Sequence, residues 1–97
     1  MGEFGRTPQI NENDGGGRDH WPHAYSVLWA GGGANGGQII GSTDEHAAFV
    51  KDRPLKPDDL SATLYEALGI PHDTRLPDIG GRPRAISEGT PIGELLG

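Results

Sequence analysis

Hydrophobic periodicity is strongest between Pro57 and Leu68. Leu60, Leu64 and Leu68 recur every four residues and, widened by Ala67, predict one apolar stripe along an α-helix. Pro57 suits the first helical position, and Asp58 and Asp59 put negative charge at the positive end of the helix dipole. Gly69 followed by Pro71 ends the element. The spacing therefore predicts a helix at about 57–68.

The other apolar runs are short. Ala24 to Ala30, bounded by Pro22 and Gly31-Gly32-Gly33, contains Tyr25, Val27 and Trp29 and predicts a buried strand. A second short strand is expected at Gln38 to Gly41 around Ile39-Ile40, and a strand or turn from Ser42 to Val50, ending at Phe49. Beyond Pro71 the chain is broken by Pro and Gly, with a short extended piece expected near Arg84 to Ile86 and a helical turn at Ile92 to Leu96. Met1 to His23 has no core-facing stripe and reads as irregular, with Asn11, Glu12, Asn13 and Asp14 in an exposed loop. No internal repeat, heptad or basic run is present.

These elements make an α/β chain of two or three short strands, one clear helix and long Gly/Pro-rich loops. A strand as apolar as Ala24 to Ala30 calls for cover on both faces. One helix cannot provide it. The expectation is that a partner chain, or the rest of a longer gene product, supplies the remainder.

Composition sharpens that expectation. The 97 residues include 17 Gly and 8 Pro, and only 19 are Leu, Ile, Val or Phe. That is near the roughly 20% level below which chains tend not to bury a core. There is no cysteine, hence neither a disulfide nor a thiolate metal site. No apolar run approaches the roughly 18 residues of a membrane span, and no signal-peptide pattern is visible in this chain. A net charge of -6 argues for solubility and against nucleic acid as a partner.

Candidate chemistry gathers near the start of the chain. Asp19-His20-Trp21-Pro22-His23 offers a carboxylate and two imidazoles suited to a divalent cation such as zinc. The same run also reads as Asp19 capping a turn, His20 in a structural hydrogen bond and His23 solvated. Glu3 is a candidate oxygen ligand or general base, and Arg6 a fork for sulfate, phosphate or carboxylate. Alternatively, Glu3 and Arg6 form a surface ion pair holding a turn. The glycines from Gly31 to Gly37 lack the Lys-Ser/Thr of a phosphate-binding loop and read as a connection between two strands. Thr43-Asp44-Glu45 is an acidic turn, and His46 and His72 stand in loops. No nucleophile motif is visible.

Several of these segments together resemble a known family. Met1 to Pro8, Gly17 to Pro22 and Gly36 to Asp44 are similar to the C-terminal part of the sulfatase-like domain-of-unknown-function family 1501, related to the alkaline phosphatase superfamily. Asp59 to Ile70, Gly81-Arg82-Pro83 and Pro91 to Leu96 agree with it in order. The resemblance implies that residues 1–97 are the C-terminal portion of one sulfatase-like domain, its upstream portion absent, with a partial alkaline-phosphatase/sulfatase-like sheet. It implies a metal-dependent hydrolase of sulfate or phosphate esters, inactive alone because the nucleophile lies upstream.

In that reading Glu3, Asp19 and His20 are metal ligands for zinc, calcium or manganese. Arg6 and His20 are catalytic, and the partner is a small anionic ester. Phe4 stands where a ligand His or Asn is usual in the superfamily, which favours a non-catalytic binding member of the same fold. A truncated product with no independent function is the third reading. The family resemblance also implies a periplasmic or secreted location.

Overall fold

A computed structural model describes residues 1–12 and 15–97. Asn13 and Asp14, expected in an exposed loop, lie outside the described residues. Among the described residues the architecture is small and mixed: three two-stranded antiparallel sheets, one α-helix and a 3-10 turn at Gly93–Leu95. The chain divides into two compact units, one of residues 1–28 and 40–54, the other of residues 29–39 and 55–97.

In the first unit, β1 (Gly5–Arg6) pairs with β2 (His20–Trp21), with Gly5 opposite Trp21 and Arg6 opposite His20. The ladder continues through Thr7 N–H to the Asp19 carbonyl at 2.9 Å and an isolated bridge between Asn11 and Gly17. The stretch expected to be irregular is therefore a hairpin. Its pairing is set by backbone and side-chain donors rather than by buried apolar side chains, so it leaves no alternating pattern to read. Gly5 is fixed by a close approach, because a Cβ there would run into the Ala24 carbonyl.

A second hairpin joins β3 (Ser42–Thr43) to β4 (Val50–Asp52), with a bulge between Ser42 and Thr43. Its turn is built on Asp44, whose Oδ1 accepts the N–H groups of His46 (3.2 Å) and Ala48 (2.8 Å). Self-bonding of this kind is how Asp makes turns. The Trp21 indole N–H donates to the Ala48 carbonyl at 2.7 Å and ties the two hairpins together.

Two expected strands are absent. Ala24 to Ala30 forms no ladder, and Leu28 is 90% exposed. Among the described residues no strand runs beside it, so it has no ladder to join, although Ala24, Tyr25 and Trp29 are half-buried. At Gln38 to Gly41 the extended run is interrupted by Gly41, whose φ of 82° turns the chain before β3 begins. Gln38 is also committed elsewhere, its amide donating to the Asn35 carbonyl at 2.9 Å and to the Glu94 carbonyl. The glycine-rich segment consequently does not link two strands. It clasps the end of the chain through Asn35 N–H to Leu95 O (2.8 Å) and Gly97 N–H to Gly33 O (3.2 Å).

The helix of the second unit, α1 (Pro57–Ala67), matches expectation within a residue. Asp59 accepts the Lys56 N–H at 2.9 Å, closing the entry turn. At the exit, Gly69 N–H bonds to Glu66 O (3.0 Å) and Ile70 N–H to Tyr65 O (2.9 Å), with Gly69 at φ 81°. That pair is a Schellman motif, which needs a left-handed residue at this point.

The buried face of α1 departs from the leucine stripe. Ala62 and Thr63 are fully buried, whereas Leu64 is 49% and Leu68 65% exposed. The reason is the segment from Ser87 to Ile92, which crosses α1 at backbone distance. Ser87 Oγ donates to the Asp58 carbonyl (3.0 Å), Thr90 N–H to Asp59 Oδ1 (3.0 Å) and Ile92 N–H to Thr63 Oγ1 (2.9 Å). Only small side chains allow such an approach, and at Gly89 a Cβ would strike the Asp58 carbonyl.

The expected extended piece near Arg84 is β6 (Pro83–Ala85), paired with β5 (Arg75–Pro77). Asp78 and Arg82 close the loop: Asp78 N–H bonds to Arg82 O and Gly81 N–H to Asp78 O, each at 2.9 Å, with Gly81 at φ 78°. This is the three-residue hairpin loop with glycine in the left-handed position.

Candidate functional site

The β1–β2 pairing sets Arg6 directly opposite His20, fourteen positions later in the chain. Cross-strand partners project from the same face, so Arg6 and His20 share one face of the first hairpin, both exposed. Asp19 is held next to them. Its N–H donates to Thr7 Oγ1 (3.1 Å), its carbonyl accepts from Thr7 N–H (2.9 Å), and its Oδ1 accepts from the Asn11 amide (3.2 Å).

Glu3 lies exposed just before β1 and forms no ion pair with Arg6. Arg6 Nη1 reaches the Arg18 carbonyl oxygen at 3.5 Å, the limit of a hydrogen bond. Its guanidinium therefore keeps nearly all of its donors for a ligand. Arg18 is used differently. Its Nη1 donates to the carbonyls of Thr7 and Pro8, both at 2.8 Å, and braces the hairpin from within.

The run from Asp19 to His23 splits between two environments. The His20 ring lies against Phe4, with centroids 3.9 Å apart and planes tilted 32°. His23 instead joins an aromatic group with Trp21 (4.6 Å) and Phe49 (5.1 Å). Of the remaining histidines, exposed His46 sits 3.4 Å from Glu45, and half-buried His72 bonds Glu66 at 2.8 Å. Among the described residues, no three His, Cys, Asp or Glu side chains are grouped to hold a metal ion. The hairpin sets Arg6 opposite His20, whereas Asp19 is engaged with Thr7 and Asn11 and Glu3 precedes the strand.

Away from this hairpin, the carboxyls of Asp44, Glu66 and Asp78 are held below their ordinary range. Asp44 is lowered chiefly by the Ala48 N–H, Glu66 chiefly by the His72 side chain, and Asp78 chiefly by Arg84. Sequence reasoning gives no role to Arg18 and sets Asn11 in an exposed loop, yet both build the hairpin, together with Thr7, a hydroxyl donor in that reasoning. Their signal is weak: short polar side chains on both sides of a glycine run, the usual makings of a polar turn. No helix among the described residues is long and apolar enough to cross a membrane.

Fold and site thus define a small mixed α/β chain that displays an arginine–imidazole pair on a polar hairpin. The chain belongs to the family described as protein of unknown function (DUF1501), whose sequence model matches residues 1–96. No curated protein and no solved structure matches it.

Proposed function

We propose that this chain is part of a metal-dependent hydrolase of sulfate or phosphate esters, with Arg6 and His20 at the substrate. The observation that carries the reading is the register of the first hairpin, Arg6 opposite His20. A guanidinium fork with free donors binds a tetrahedral oxyanion in two-point fashion. An imidazole beside it can give a proton to the departing alcohol oxygen. Asp19, anchored through Thr7 and Asn11, orients the loop that delivers His20.

The donor set fits a divalent ion such as zinc, calcium or manganese in kind, since Glu3, Asp19 and His20 offer carboxylate oxygen and imidazole nitrogen. It does not fit in number. Zinc takes four ligands, and these residues are not gathered as a set. In this reading the missing ligands and the attacking group come from outside these residues, and no step is assigned to a metal. When bound, the ion would supply Lewis-acid polarisation of the ester. The family resemblance supports a periplasmic or secreted location.

A second reading is a non-catalytic binding member of the same family. It is favoured by Phe4, which covers one face of the His20 imidazole. Calorimetric titration of zinc, calcium and manganese into the chain and into His20→Ala, with an aryl sulfate and aryl phosphate turnover panel on the protein that carries this chain, separates the two. Metal binding lost in His20→Ala together with turnover supports the hydrolase. Anion binding that depends on Arg6, with no turnover under any metal, leaves the binding member.

A further inference from the structure

The glycine-rich segment from Gly31 to Gly37 takes no part in the reading above, and it contains the chain's one Asn–Gly pair, Asn35-Gly36. The other two asparagines, Asn11 and Asn13, stand before Glu12 and Asp14. Asn35 lies in the second unit, where it helps to clasp residues 94–97. Its N–H donates to the Leu95 carbonyl at 2.8 Å, and its side-chain Nδ2 donates to the Glu94 carbonyl at 3.4 Å. The Gln38 amide donates to the same Glu94 carbonyl and to the Asn35 carbonyl at 2.9 Å, while Gly97 N–H reaches Gly33 O at 3.2 Å.

The same residue is open to attack by the chain itself. The side-chain carbonyl carbon of an asparagine is within ring-forming reach of the next backbone nitrogen, and such an intramolecular reaction avoids the cost of bringing two reactants together. A side chain on the following residue hinders the approach, and glycine has none. Asn35 and Gly36 are both exposed. Gly36 N–H makes no backbone hydrogen bond with the described residues, and open space surrounds the place where its Cβ would stand. The tether of Nδ2 to Glu94, at 3.4 Å, is near the limit of a hydrogen bond and restrains the side chain weakly.

We propose that Asn35 is a site of spontaneous deamidation whose products loosen the clasp on residues 94–97. The Gly36 nitrogen forms a bond to Asn35 Cγ, the Cγ–Nδ2 bond breaks, and Nδ2 leaves as ammonia with the proton given up by the Gly36 nitrogen. One water then opens the cyclic imide. Cleavage between Cγ and the ring nitrogen gives aspartate, and cleavage at the backbone carbonyl gives isoaspartate. Either product removes the Asn35 donor from the Glu94 carbonyl and sets a carboxylate near it, adding one negative charge to a chain already at -6. Isoaspartate also lengthens the main chain by one methylene before Gln38, which displaces the second donor to Glu94. The step uses only this segment and water, so it stands apart from the hydrolase reading.

The test is timed incubation of the full chain at neutral and at mildly alkaline pH. Peptide mass spectrometry separates asparagine, aspartate and isoaspartate at position 35, and amide NMR spectra are recorded in parallel. Asn35 should convert, faster at the higher pH because the attacking nitrogen must lose its proton, while Asn11 stays intact. The amide signals of Leu95 and Gly97 should move with the same time course, and that of Thr63 should not. Gly36→Ala, for which the structure has room, should slow the conversion at least tenfold. Asn35→Asp should show displaced Leu95 and Gly97 signals from the start. Three results would each overturn the proposal: Asn35 intact while a synthetic peptide of residues 31–39 converts, an equal rate in Gly36→Ala, or conversion that leaves the Leu95 and Gly97 signals in place.

Discussion

Thr63 holds two parts of the chain together with one oxygen. Its hydroxyl donates to the Asp59 carbonyl one turn back (2.6 Å) and accepts the N–H of Ile92 (2.9 Å), with both residues buried. Replacing it by Val keeps the shape but leaves the Ile92 N–H without an acceptor. Thr63→Val should cost about 1–3 kcal/mol, read from urea unfolding. Leu64→Ser, one position on, should stay within about 0.5 kcal/mol because Leu64 is half in water. A leucine repeat would lead one to expect the reverse ranking. Periodicity reports which side chains are greasy; it says nothing of a backbone segment passing so near that a Cβ at Gly89 would strike the Asp58 carbonyl. Arg6 and His20 were legible as residue types, yet their opposition was not, since it depends on which donors along 7–19 meet across the hairpin.

At the scale of elements, α1 was legible because its signals are local: proline at the entry, acids in the first turn, glycine at the exit. The hairpins were less so. Strands β1, β2 and β5 were unannounced, and the strand expected from Ala24 to Ala30 lacks a neighbour to pair with. Strand propensity describes a fit to a sheet that must exist first. The β5–β6 hairpin depends instead on a charge. Arg84 holds the Asp78 carboxyl below its ordinary value in the folded chain. A depressed folded pKa means that the contribution is fully present above the unfolded value and is lost as pH falls through the folded one. Acidification from about pH 6 to about pH 3, across the carboxylate range, should therefore loosen the hairpin. The amide signals of Gly81 and Arg82 should move toward unstructured positions, and Asp78→Asn should remove that pH response.

Over the whole molecule, burial is uneven. The buried residues among those described, Ala62, Thr63, Ser87 and Ile92, all belong to the second unit. The first unit is built from hairpins whose side chains are half-buried at most. Hydrogen exchange should follow this division. The amides of Thr63 and Ile92 should exchange slowest, and those of β1 to β4 should approach solvent rates, even where they are paired. Uniform protection across both units would contradict it. Composition made the thinness of the core legible from the start, because 19 strongly apolar residues cannot fill two units. What it left hidden was which unit receives the little there is, because that depends on a long-range crossing with no local signature.

The crossing of Ser87–Ile92 over α1 also bears on how the chain is made. Thr63 leaves the ribosome 29 residues ahead of Ile92, the residue that covers it. For that interval the nascent helix has both caps but no lid. Because the waiting face is an alanine and a threonine rather than leucines, it offers little for a chaperone or a neighbouring polypeptide to seize. The later segment to emerge is then the one that locks what came before.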